Sequence, residues 1–248
     1  FVIFDAAGAL PEGARPMNIQ AGAYVGFTEA AGMSGPGGFR SLLSPSNFTS
    51  LTVDPTAVLG LDSSLFIADK ITNSDLSPSA TRFLADRLDF SQLGPVGLGS
   101  ATRATLLGTL VGPMTGNSRS LRLLGVGSGV LEVRSRLTNT NAASVTVGGN
   151  SLVDADGKVV LAAQNTFSGG TTLLSGTIVA ATSQRISRGA VVSGPLGLGA
   201  LTVPADALSP SLTASSFSTP TLSNPILLGS RLSLGSFNGS AYPTMSSL

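Results

Sequence analysis

The chain contains no cysteine, no histidine and no tryptophan. Without cysteine there is no disulfide framework and no thiolate metal site, and without histidine there is no imidazole ligand. Neither residue is present to hold a haem iron. A Ser-His-Asp triad and Cys-His catalysis are excluded for the same reason. Charge is also scarce. Asp, Glu, Lys and Arg make up 11% of the 248 residues, against about 25% in an average globular chain. The 14 basic and 13 acidic residues leave a net charge of +1. No basic stripe results, so nucleic acid is not an expected partner. Long apolar runs are missing too: none reaches the roughly 18 residues of a membrane-spanning helix. The uncharged stretch from Ala207 to Ser230 is broken by Pro210, Pro220, Pro225 and many hydroxyls. No signal peptide is legible, and the chain opens at Phe1 rather than Met. That start reads as a processed product, a fragment, or sequence taken from the sample itself. The lack of cysteine fits an exported bacterial protein.

What is there is 42% hydrophobic residues with 31 glycines, 14 prolines and 58 serines and threonines. The apolar content is ample for a sizeable core, and the low-hydrophobicity, high-charge signature of disorder is absent. The apolar residues come in short runs, such as Val145-Thr146-Val147, Val159-Val160-Leu161, Thr177-Ile178-Val179, Val191-Val192 and Leu201-Thr202-Val203. β-Branched runs bounded by Gly, Asn, Ser or Pro read as strands, and their number predicts an all-β chain. Two short helical insertions are expected toward the N-terminus. The first runs from an N-cap at Ser79 through Ala80 to Leu88, with Phe83, Leu84 and Leu88 on one face. A weaker one spans Gly37 to Leu43 and is stopped by Pro45.

Two short words recur in order. Gly108-Thr109-Leu110-Val111 returns as Gly176-Thr177-Ile178-Val179, and Gly127–Val133 returns as Gly197–Val203 at nearly the same offset. Strands this short gain most by coiling on one another, so that each becomes a rung hydrogen-bonded to the next at about 4.8 Å. The expectation is a β-solenoid whose stability is roughly a sum of nearest-neighbour terms. At roughly 20–25 residues per coil it would hold about ten coils over about 50 Å. Three regions are expected: residues 1–105 as an N-terminal solenoid region with the helical insertions, 106–205 as the repeat-bearing core, and 206–248 as Ser/Thr/Pro-rich C-terminal rungs or a contact segment.

The segment Asn165-Thr166-Phe167-Ser168-Gly169-Gly170-Thr171-Thr172-Leu173-Leu174-Ser175-Gly176-Thr177-Ile178-Val179 closely resembles the autotransporter-associated β-strand repeat, also called the passenger-associated transport repeat. Gly194–Val203, with Gly197 and Gly199, looks like the Gly-x-Gly-x-Leu-x-Val run that closes such a unit. Asn224-Pro225-Ile226-Leu227-Leu228-Gly229 and Arg231-Leu232-Ser233-Leu234 are similar to what often follows, and Ala21–Glu29 to what precedes. The specific likeness covers Gln164 to Val203, with a weaker one from about Leu106 to Gly239. It implies a right-handed parallel β-helix that is exported, with a surface or extracellular role. No C-terminal membrane β-barrel is legible, so a complete, self-translocating autotransporter is not expected. The residues themselves suit such a geometry. Gly169 and Gly170 allow positive φ at a corner. Asn165 could stack in an Asn ladder or take a left-handed bend. Thr171 and Thr172 suit a strand edge with exposed hydroxyls. Gly176 opens the strand that follows. Nothing in the motif performs chemistry.

Other candidates have plainer readings. Asp154-Ala155-Asp156-Gly157-Lys158 resembles a calcium loop but lacks the further oxygen ligands, and reads as a β-turn. Asp86 with Asp89 and Asp62 with Asp69 could pair for glycoside chemistry, but read as solvated surface charges. Gly94–Gly99 and Gly125–Gly129 lack the spacing of a phosphate loop. Tyr24, Phe27 and Tyr242 are the few aromatics that could meet a glycan, and core packing accounts for them. No enzyme, cofactor or metal is expected. The reading is a non-enzymatic extracellular structural protein of the bacterial cell surface that self-associates end to end or laterally into a filament. An adhesin-type passenger domain binding a surface glycan or a host surface is the alternative, and a polysaccharide-degrading β-helix enzyme comes last.

Overall fold

The computed structural model describes residues 1–4, 16–28, 50–63, 81–83, 87–91, 94–149, 157–215, 219–236 and 244–245. Among them every regular element is a strand. Two long parallel sheets organise the chain. The first runs through Val2–Phe4, Tyr24–Thr28, Val58–Asp62, Gly97–Ser100, Ser118–Gly125, Ser144–Val147, Thr171–Leu173, Leu201–Val203 and Ile226–Leu228, in chain order. The second runs through Thr81–Phe83, Arg103–Leu106, Val130–Val133, Lys158–Leu161, Ser175–Ala180, Leu208–Ala214 and Ser233–Ser236. From Gly97 onward, a strand of the first sheet is followed by one of the second. Short strands on a third flank form parallel pairs of their own, such as Arg87–Asp89 with Thr109–Val111. Each of them up to Thr221–Leu222 lies ahead of the next strand of the first sheet. This alternation is compatible with a β-solenoid.

Period-two alternation explains the core. Along the first sheet the column Leu121–Val145–Thr171–Leu201–Ile226 is in register. Along the second the column is Ala104–Leu131–Val159–Ile178–Leu212–Leu234. Together with Leu98, Leu123, Val147, Leu173 and Val203 the apolar residues of these columns build one continuous buried core, with Ile226 packed against it; Thr171 is buried in its column, and Leu234, at the end of the other, is exposed. Fully burying one such side chain is worth about 1.5–3 kcal/mol. Each new rung therefore adds its stabilisation through the rung below.

The advance per rung is uneven. Leu98 pairs with Leu123 and Leu123 with Val147, so these rungs have the coil length expected from the sequence. Val25 pairs with Leu59 and Leu59 with Leu98, which makes the earlier coils longer. The coil from Thr172 to its partner Thr202 is also longer, because the antiparallel hairpin of Arg185–Ser187 and Ala190–Ser193 is inserted there. The offset between the recurring words is not the structural period. Thr109–Val111 lies on the third flank, but Thr177–Val179 lies in the second sheet. Val130–Val133 lies in the second sheet, but Leu201–Val203 lies in the first. Both second copies sit one flank back along the winding. A Gly followed by an alternating run starts a strand on any flank, so the words report strand entry and not position.

The helix expected from Ser79 to Leu88 does not form over the described residues. Thr81–Phe83 is a strand parallel to Arg103–Leu106, with Phe83 opposite Leu106. Arg87–Asp89 is a strand that buries Leu88 between two charged neighbours. A run this short satisfies a period of two as readily as one of 3.6, and an isolated helix of two or three turns is marginal. Two ladder pairings outweigh it. The second expected helix, Gly37 to Leu43, lies outside the described residues.

Candidate functional site

The motif residues form a corner that ties successive rungs together. Asn165 is 1% exposed and exchanges both backbone hydrogen bonds with Gly194 at 3.0 Å. Its side chain works across rungs. Oδ1 accepts from the Leu137 amide at 2.9 Å, and Nδ2 donates to the Pro195 carbonyl at 2.8 Å. Neither the Asn ladder nor the left-handed bend expected from sequence is present: Asn165 is a clamp between the rung below and the rung above. Asn224 ties the following rung to the one below: its Nδ2 donates to the carbonyls of Gly199 at 2.6 Å and Gly197 at 3.2 Å, and its Oδ1 accepts from Gln184 Nε2. Asn at such a corner supplies one acceptor and two donors, enough to close the backbone groups that a turn leaves unpaired.

The glycines are there for space as much as for φ. Gly170 has φ 78°, and a Cβ there would stand 2.5 Å from the Ala200 carbonyl oxygen. Gly169 has no positive φ, but its Cβ would meet the Ala143 oxygen at 2.7 Å. Gly199 would meet the Gly170 amide nitrogen at 2.6 Å. Gly197 packs on the buried ring of Phe167. Gly176, at φ 73°, faces a break in register where Ser209 and Pro210 stand opposite it, a β-bulge. The threonines divide. Thr171 points inward, 1% exposed, and its Oγ1 donates to the Leu196 carbonyl at 3.0 Å, which corrects the exposed-edge expectation. Thr172 joins Thr146 and Thr202 in an outward row.

A second polar constellation lies on the opposite face of the first sheet, and sequence reasoning missed it. Asp62, expected as a solvated charge, is 0% exposed. Tyr24 donates to its Oδ2 at 2.6 Å. The amides of Ala101 and Thr102 and the Thr102 hydroxyl donate to its Oδ1 at 2.9–3.0 Å. Gly26 and Gly60 leave the room: a Cβ on either would fall 2.0 Å from Asp62 Oδ2 or the Tyr24 hydroxyl. Burial pushes the Asp62 carboxyl above its usual range, with the Tyr24, Ala101 and Thr102 hydrogen bonds opposing that rise. Burial, and then the neighbouring carboxylate, push the Tyr24 phenol up. Gly26 two residues after Tyr24 on one strand and Gly60 two residues before Asp62 on the next were the available signal. It becomes readable only once the register pairs Gly26 with Gly60.

Elsewhere, Glu132 is buried and accepts from Thr105 Oγ1 at 3.0 Å and Arg134 Nε at 2.5 Å. Asp89 is exposed, and Phe27 is fully buried in the main core. Asp69, Asp86, Asp154, Asp156 and Tyr242 lie outside the described residues. Among the described residues, no three of Asp, Glu, His and Cys come together as a metal site. No helix among them is long and apolar enough to cross a membrane.

The clamp makes a direct prediction. Asn165→Ala leaves the buried Leu137 amide and Pro195 carbonyl unpaired and lowers stability by about 2–4 kcal/mol, measured by urea denaturation. Asn165→Asp keeps the acceptor but turns a carboxylate oxygen toward the Pro195 carbonyl, so it is less damaging at low pH, where the carboxyl is protonated, than at neutral pH. Equal stability of wild type and Asn165→Ala would remove the clamp from the account. Compared with protein-family models, curated proteins and solved structures, the chain matches none of them, so its function is read from this geometry.

Proposed function

We propose that the chain is a non-enzymatic structural protein, a right-handed parallel β-helix forming a segment or subunit of a bacterial surface protein outside the cell. Its copies stack end to end into a fibre. The observation that carries this reading is the pair of long parallel sheets with apolar outermost strands. In the first sheet, Ile226–Leu228 pairs on one side only among the described residues, and its Leu227 and Leu228 are 57% and 59% exposed. Among the described residues Leu234 ends the inner column of the second sheet, and it is 52% exposed. An open strand edge templates the addition of another parallel strand, and a head-to-tail contact that does not close on itself generates a filament. Crossovers between parallel strands of one sheet are right-handed in about 98% of cases, which supports the hand. The interior of the corner is given to hydrogen bonds that hold rungs, which supports a scaffold over a catalyst.

Electron microscopy and fibre diffraction of the purified chain test this. The expected result is filaments with a reflection at about 4.8 Å along the axis, lost in the double variant Leu228→Lys, Leu234→Lys. Monodisperse single particles at every concentration would sink the proposal.

A further inference from the structure

Beyond assembly, the geometry points to a binding groove for an acidic saccharide at the corner where Leu208–Ala214 meets Ser233–Ser236. The groove has a volume of about 430 Å³ and is lined by Ala207, Ser209, Pro210, Ser230, Arg231 and Ser233. Arg231 is the only charged residue from Ala207 to Leu248. It is exposed and makes no ion pair with any described residue. The nearest acid in sequence, Asp206, stands in the adjoining turn and does not line the groove. The hydroxyls of Ser209 and Ser233 make no hydrogen bond to the rest of the described chain.

The backbone supplies an independent reason to look here. Ser209 has φ 48°, one of two positive-φ residues other than glycine among the described residues. The other, Arg188, is accounted for by the two-residue turn of its hairpin with Gly189. A left-handed serine is strained, because its Cβ crowds the backbone. Such strain, held at a bulge that re-aims a side chain, clusters at ligand sites. Here the bulge opposite Gly176 turns Ser209 into the groove beside Arg231. From the groove the outward row Ser233–Ser211–Thr177 continues across two further rungs, a track of hydroxyls spaced about 4.8 Å apart. A guanidinium pairs a carboxylate or sulfate through two parallel hydrogen bonds, and hydroxyls both donate to and accept from a polyol. The combination fits a sugar chain bearing an anionic group, with that group on Arg231 and its hydroxyls on the serine row.

Calorimetric titration of the full chain with three probes tests this: a trigalacturonate, a sulfated tetrasaccharide and maltotriose. We expect at least one anionic probe to bind about tenfold or more tighter than maltotriose, the effect of one charged hydrogen-bonded pair. Arg231→Ala should lose that margin, Arg231→Lys should keep part of it, and Ser233→Ala should weaken binding less. Arg188→Ala, on the distant hairpin turn, should bind as wild type. Which of the two anionic probes binds names the anion. Failure of both to bind, or equal binding by Arg231→Ala with an unchanged circular dichroism spectrum, overturns the proposal. Filament formation by Arg231→Ala is scored separately, so loss of the groove and loss of stacking are distinguishable.

Discussion

Gly197→Ala is expected to lower the stability of the chain by about 3 kcal/mol, whereas Gly189→Ala should cost about 1 kcal/mol. Both glycines have positive φ, 74° and 78°, so both variants carry the same left-handed penalty of about 1–2 kcal/mol. Surroundings separate them. A Cβ on Gly197 would lie 2.6 Å from the Phe167 carbonyl oxygen and 2.6 Å from its ring, while one on Gly189 meets nothing within 4 Å. Phe167 is fully buried and cannot move aside without opening the core, so an overpacking term of about 1–3 kcal/mol adds. For a chain of this size the Gly197 variant should melt about 6–12 °C lower. Equal shifts for the two variants would show that the corner is not tightly packed. Because neighbouring rungs carry stability in a repeat-like array, unfolding should be followed by more than one probe.

Asp62→Ala should cost about 3–5 kcal/mol. It leaves the Tyr24 hydroxyl and the amides of Ala101 and Thr102 without an acceptor in a buried place, each at about 1–3 kcal/mol. Asp62→Asn keeps one oxygen and should cost less. The pH dependence has a definite sign. The folded carboxyl is raised above its ordinary value of 3.8, with burial the largest cause. Its contribution is therefore fully present below about pH 3.8 and is lost as pH rises through the folded value. The stability of wild type relative to Asp62→Asn should fall over that interval, measured by urea midpoints from acid to neutral pH. A difference that grows with pH would mean that the hydrogen bonds outweigh burial and that the carboxylate is held ionised.

Much of the chain was legible before any coordinate. Val145-Thr146-Val147, Val159-Val160-Leu161 and Leu201-Thr202-Val203 each form a strand, as their β-branched runs between turn formers predict. The segment from Ala80 to Leu88 was not legible, because Leu88 fits a helical face and a strand equally well. Only the partners at Arg103–Leu106 and Thr109–Val111 decide between them. Asp62 was misread for a related reason. A carboxylate next to an apolar run looks solvated until the fold brings the distant Tyr24 and Ala101, from either side in sequence, within hydrogen-bonding reach.

The sequence by itself determined the strands, their turns and the exclusion of histidine and cysteine chemistry, because these depend on local patterns and on which side chains exist at all. The tertiary structure alone decided the register. Register placed the matched Gly-Thr-Leu-Val words on different flanks, turned Asn165 into a clamp between rungs and set Ser209 beside Arg231. A β-ladder joins residues a full coil apart through backbone groups that every residue carries. Which rung meets which is fixed by the lengths of the connections and the packing of the whole column, not by any local word.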